Sequence, residues 1–180
     1  MIAGPERRIY LVGFMGSGKT SVGSALARRL AVPFVDLDLA FESMTGETIR
    51  ETFENRGEAW FRERETLLLK GTVSLDRAVL ALGGGTFVFP ENASFVKAHG
   101  LSIFLDAPFE VIAGRLIGKS LDRPLFRSLE EARNLYDARL PYYKIADWSI
   151  LVSANDDVDR VVDRIERVLT GDVGSGAEVR

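Results

Sequence analysis

Short, wholly apolar runs alternate along the chain with stretches whose apolar residues recur every three or four positions. Ile9–Val12, Phe34–Val35, Ala78–Leu82, Leu101–Leu105 and Trp148–Val152 are runs of the first kind, bounded by glycine, proline or charge. Each is too brief for a helix and predicts a buried strand, the second ending at Asp36-Leu37-Asp38. Val22, Leu26, Ala27 and Leu30 keep helical spacing up to Pro33, and Val111, Ile112 and Leu116 repeat it after the fourth strand. From Thr48 to Lys70 the chain is charged, with Ile49, Phe53, Trp60, Phe61, Leu67 and Leu68 as apolar anchors, and Gly57 should split it into two helices. Leu129–Leu140 reads as a helix stopped by Pro141, and Val158, Val161, Val162, Ile165 and Leu169 mark the last helix. Gly118–Ser128 has no period and reads as a mobile loop, whereas Gly171–Arg180 reads as a disordered polar tail.

Strands that are apolar throughout and alternate with helices specify an α/β protein in three layers: one five-stranded parallel sheet with helices on both faces. Ligands of such sheets lie at the carboxyl ends of the strands, where the chain places its glycines and acids. With 180 residues and no linker-like stretch, residues 1–170 are expected to form one domain.

Composition narrows the chemistry. No cysteine is present, which excludes disulfides and thiolate metal sites, and the lone His99, expected to be solvated in a turn, excludes a multi-histidine metal site. Arg7 and Arg8 before an apolar run faintly resemble a signal peptide, but the run is short and breaks into Gly13 and Lys19. No stretch approaches the ~18 apolar residues a membrane span needs, so a cytoplasmic location without a membrane partner is expected. A net charge of -3 and a pI of about 5.3 give no basic field for nucleic acid. Charge is nonetheless uneven: Arg115–Lys144 carries seven basic and four acidic residues, whereas Ile145 onward carries four basic and eight acidic. A basic middle in an acidic chain suits a small anionic ligand.

Gly13-Phe14-Met15-Gly16-Ser17-Gly18-Lys19-Thr20 is a complete G-x-x-x-x-G-K-[ST] phosphate loop between a strand and a helix. Its glycines let backbone N–H groups turn around an anion, and the helix adds its positive end. Lys19 would reach the outer phosphates and the Thr20 hydroxyl could ligate Mg²⁺. The N-K-x-D motif of GTPases is missing. Strand alternation would point Asp36 and Asp38 the same way, as a water-orienting and proton-accepting pair; an acidic helix cap is the plainer alternative.

Beyond the phosphate loop, Asp36-Leu37-Asp38, Gly57-Glu58-Ala59-Trp60-Phe61-Arg62, Gly83-Gly84-Gly85, Arg123-Pro124-Leu125 and Arg139-Leu140-Pro141-x-Tyr143 follow in order. Together they resemble the shikimate kinase family over roughly Ile9–Leu169. The resemblance implies a P-loop fold of the nucleoside monophosphate kinase type, with a lid at about 118–128 and a substrate-binding helical region at about 38–70. It implies phosphorylation of shikimate by ATP with Mg²⁺, in an enzyme expected to be a monomer. The roles it implies make Lys19, Asp38 and Arg123 catalytic, with Gly13, Gly16, Ser17, Gly18, Thr20 and Arg115 around the nucleotide. Asp38, Arg62, Gly84, Gly85 and Arg139 would bind shikimate, and Asp36 would hold Mg²⁺ through water. Asp38 would orient or deprotonate the attacking hydroxyl. Where relatives often place an arginine against adenine, this chain has Asn155-Asp156-Asp157, which leaves Arg115 as the stacking partner.

Plainer roles compete at each position. Arg62 has Glu58 four residues before it and Glu65 three after, the spacing of a surface ion pair. Arg139 could oppose a helix dipole, and the triple glycine could be a tight strand exit. Trp60 and Trp148 read as core, while Phe53 and Phe61 read as both core and pocket lining. A kinase of another small hydroxy acid such as gluconate, or a nucleotide-sensing module, are the alternative functions.

Overall fold

The computed structural model describes residues 7–117, 128–171 and 177–179. Five parallel strands form the sheet: β1 (Arg8–Val12), β2 (Phe34–Asp36), β3 (Val79–Ala81), β4 (Gly100–Asp106) and β5 (Trp148–Leu151). Their order is β2-β3-β1-β4-β5, with β1 in the middle. Ile9, Tyr10, Leu11, Val79, Leu80, Ile103 and Leu105 are buried, as sheets covered on both faces require. The helices are α1 (Lys19–Leu30), α2 (Leu37–Thr45), α3 (Ile49–Gly71), α4 (Pro90–His99), α5 (Phe109–Ile117), α6 (Leu129–Tyr143) and α7 (Val158–Thr170). As the glycine predicts, α3 is broken at Gly57, whose φ of 81° is non-helical.

Four features depart from the sequence pattern. Residues 177–179 add a sixth strand, β6 (Ala177–Val179), antiparallel to β5, where a disordered tail was expected. The cause is the otherwise open edge of β5, whose unpaired backbone accepts any short extended segment. The helix α6 runs through Pro141 to Tyr143, because a proline this close to the end removes little of the remaining hydrogen-bond ladder. An unforeseen helix, α4, follows the triple glycine. It starts with Pro90 at its first position, carries Glu91 in the first turn and Lys97 in the last, and buries only Asn92, Ala93 and Val96. His99 ends this helix half-buried, with Nδ1 2.8 Å from the Phe95 carbonyl and the ring stacked on Phe95.

Arg8 acts as a structural staple. Its guanidinium donates to the carbonyls of Thr72 and His99 at 3.0 Å each, and to that of Val73. One side chain thus satisfies the chain ends of α3 and α4 against β1. Arg8→Met should lower the free energy of unfolding by about 1–3 kcal/mol, the range for hydrogen bonds to a charged group, measured by urea denaturation. An unchanged midpoint would show that solvent satisfies those carbonyls equally well.

Candidate active site

The carboxyl end of β1 feeds the phosphate loop, and the loop feeds α1. Gly18 caps α1 in the left-handed region (φ 103°), with no side chain bonded to the helix's first N–H groups and no acid in the first turn. That end of α1 therefore presents bare amides and its positive dipole to an anion. Lys19 Nζ donates to the Gly13 and Phe14 carbonyls at 2.8 and 2.9 Å, folded back over the loop. Arg115 Nη1 donates to the Gly16 carbonyl at 3.0 Å, clipping α5 to the same loop. Ser17 is buried there, its hydroxyl without a hydrogen-bond partner among the described residues.

The two aspartates do not share a strand face. The chain turns into α2 at Leu37, and Asp36 is the N-cap, its Oδ1 accepting from the Asp38 and Leu39 amides at 3.0 and 3.3 Å. N-cap bonding is worth about 1 kcal/mol and outweighs strand alternation here. The other oxygen, Oδ2, accepts from Thr20 Oγ1 at 2.6 Å. That hydroxyl and carboxylate form an all-oxygen pair beside the phosphate loop, the donor set Mg²⁺ prefers. Among the described residues no group of three or more His, Asp or Glu could hold a metal ion. Asp38 stands in the first turn of α2, with Oδ1 turned toward Gly83.

A cleft of about 1170 Å³ runs from this loop to the second half of α3. Arg62 (12% exposed) and Arg139 (7% exposed) both line it, as do Phe53, Phe61, Gly84 and Gly85. Arg62 is no surface ion pair. Its Nη1 donates at 2.8 Å to Glu65, itself buried to 3% exposure, and Glu65 Oε1 accepts from Thr86 Oγ1 at 2.5 Å. The glycines make room for these charged ends: a Cβ at Gly85 would lie 2.7 Å from Arg62 Nη1 and Nη2, and one at Gly83 would lie 2.6 Å from Glu65 Oε1. Arg139 faces Gly84, and its Nη1 has no hydrogen-bond partner among the described residues.

Glu65, Thr86 and Tyr143 are the side chains that sequence reasoning gave no role in the site. Glu65 stands three residues after Arg62, but spacing does not report burial. Tyr143, one turn after Arg139, donates its hydroxyl to the Gly84 carbonyl and stacks on Phe104. Burial pushes its phenol up to about 12, against the opposing pull of the Arg139 guanidinium. Trp60, expected in the core, is half-buried between the guanidiniums of Arg56 and Arg64 at 4.7 and 5.3 Å.

At the opposite end of the cleft, Arg115, Val152, Asp156, Asp157 and Val158 gather. The acids are structural. Asp156 accepts from Arg164 at 2.6 and 2.7 Å and from the Ser153 amide at 2.7 Å, and Arg164 holds its carboxyl well below the usual carboxylate range. Asp157 is the N-cap of α7. Arg123 and Pro124, with the expected lid, lie outside the described residues apart from Ser128, which caps α6.

Comparison with known proteins agrees with this geometry. A family model described as shikimate kinase matches residues 15–170. The chain is 40% identical over 170 residues to a shikimate kinase of Aquifex aeolicus, covering 94% of this chain and 99% of that one. It is 39% identical over 163 residues to one of Ruegeria pomeroyi, covering 89% and 83%. The structure of shikimate kinase from Acinetobacter baumannii in complex with shikimate superposes with a TM-score of 0.83 at 34% identity, covering 92% of this chain and 94% of that one.

A tyrosine whose folded pKa is raised supports stability below about pH 10 and loses that contribution as pH climbs toward about 12, because the unfolded phenol ionises first. The stability advantage of wild type over Tyr143→Phe should therefore shrink by about 1 kcal/mol between pH 8 and pH 11, followed by chemical denaturation. An equal advantage at both pH values would mean that Tyr143 titrates normally.

Proposed function

The chain belongs to the shikimate kinase family and phosphorylates shikimate with ATP, and from that premise we propose how its own residues divide the work. Arg62 and Arg139 form the clamp for the substrate carboxylate, since planar guanidinium forks match a carboxylate better than an ammonium does. Gly84 and Gly85 leave room for the ring beside them. Asp38 accepts a hydrogen bond from the attacking hydroxyl and orients it or takes its proton. Lys19 leaves the loop carbonyls for the outer phosphates of ATP, while the loop amides and the start of α1 hold the remainder. Thr20 and Asp36 are the residues that would hold Mg²⁺, Thr20 directly and Asp36 through water. Such an ion neutralises charge on the phosphates. Arg115 packs against the base, and Arg123, from the lid, completes the charge around the transferring group. The enzyme acts as a cytoplasmic monomer with small-molecule partners only. Among the described residues no helix is long and apolar enough to cross a membrane.

The observation that carries this reading is Arg139, a buried guanidinium with an unpartnered nitrogen, in one cleft with a phosphate loop. A buried cation without its full set of acceptors is costly unless a ligand supplies them. Phosphoryl transfer proceeds through a loose transition state, so fixing the acceptor hydroxyl in line with the phosphate supplies much of the rate. An ADP-release assay with shikimate, gluconate and nucleoside monophosphates tests the assignment; turnover of gluconate at the shikimate rate would refute it.

Two substitutions separate the roles. Asp38→Asn should lower kcat by about 10²- to 10⁴-fold while nucleotide binding persists, because an amide accepts no proton. Arg139→Lys should raise the KM for shikimate by about tenfold or more and leave the KM for ATP nearly unchanged, since a point charge replaces a fork. The opposite pattern in the second variant would move Arg139 to the nucleotide.

A further inference from the structure

Arg62 is already engaged by two carboxylates. Of its five N–H donors, Nη1 supplies one to Glu65 Oε2 at 2.8 Å, and Nε and Nη2 supply two to Glu58 Oε1 at 3.2 and 3.1 Å. Its Nη1 and Nη2 lie against Gly85, close enough that a Cβ there would be 2.7 Å from each. The rings of Phe61 and Phe89 lie 4.9 and 5.5 Å from Cζ. A carboxylate that takes the Nε–Nη2 fork must displace Glu58, since entering beside both glutamates would set three carboxylates around one cation.

The two glutamates differ in what holds them. Glu65 is buried and tied to Thr86, so its removal would strand a charge inside the protein. Glu58 has a side chain 56% exposed, and its polar partner is Arg62. Exposed pairs at this spacing are worth little, and water can accept the released carboxylate.

We propose that Glu58 is a placeholder for the substrate carboxylate: it occupies the Nε–Nη2 fork of Arg62 and leaves for solvent when an acid binds. The inference rests on the reading of Arg62 as part of the clamp and adds to it the side chain that holds the fork until the substrate carboxylate arrives. Binding becomes an exchange of one carboxylate for another with no net change in charge at the guanidinium. A neutral ring alcohol cannot match the charge-assisted bonds it would have to replace, so it leaves Glu58 on Arg62.

The test is calorimetric titration of shikimate and of its uncharged methyl ester into wild type, Glu58→Gln and Arg62→Lys, without nucleotide. Glu58→Gln should bind shikimate about two- to fivefold more tightly, the range an exposed pair of this kind allows, and should bind the ester no better than wild type does. Equal or weaker shikimate binding in Glu58→Gln, with Arg62→Lys impaired, would overturn the proposal by making Glu58 a support of the arginine. Equal gains for acid and ester would overturn it by making the effect one of space. Undiminished binding by Arg62→Lys would instead refute the clamp itself.

Discussion

A carboxylate withdrawn from water has to be compensated by its neighbours, and Glu65 is the group on which this cleft is organised. Its two oxygens are matched to the Arg62 guanidinium and the Thr86 hydroxyl. Removing either partner would leave a buried charge incompletely compensated, a larger penalty than the loss of one ordinary contact. The arrangement joins the second half of α3 to the turn after β3, so the helical region is fixed against the sheet by polar bonds as well as by packing. Asn92 extends the connection, its side-chain amide donating to the Thr86 carbonyl at 3.0 Å. The otherwise modest helix α4 thereby supports the turn that lines the cleft.

The triple glycine follows from the same constraint. Glu65 and Asp38 both approach Gly83 within 2.7 Å of where a side chain would begin, and Arg62 does the same at Gly85. Three charged side chains can converge on one strand exit because that exit has no side chains of its own. On the nucleotide side the phosphate loop works by the opposite device, turning backbone amides inward and keeping side chains out of the cradle. The phosphate loop and the triple glycine leave the carboxyl ends of the neighbouring strands β1 and β3, with β4 on the other side of β1.

Local signals were legible in the sequence, whereas features settled by tertiary contact were not. The five parallel strands, the phosphate loop and the break at Gly57 announce themselves through apolar runs or through glycine at fixed offsets. The aspartates show where such reasoning fails. Alternation would have placed Asp36 and Asp38 on one face, but Asp36 is also an excellent N-cap, and starting α2 at Leu37 satisfies its orphan amides. α4 lacks a hydrophobic stripe, since one of its three buried residues is Asn92. β6 is selected by the open edge of β5, a property of the partner rather than of residues 177–179. Nothing local in Asn155-Asp156-Asp157 reveals that Arg164, a turn into α7, engages Asp156.

Arg62 and Arg139, the two arginines of the proposed clamp, look alike as letters and are unlike as physical objects. Arg62 is paired with two carboxylates and framed by aromatic rings, so its charge is already compensated before a ligand arrives. Arg139 is deeper and lacks an acceptor at Nη1, with the neutral Tyr143 rather than an acid one turn along its helix. A ligand carboxylate gains different things from each: new bonds at Arg139, exchanged bonds at Arg62. On the proposed reading, the attraction for an anion would come mainly from Arg139 and the phosphate-loop end, and Arg62 would contribute geometry. Such a division avoids two uncompensated cations side by side in a half-buried cleft, where their mutual repulsion would oppose folding.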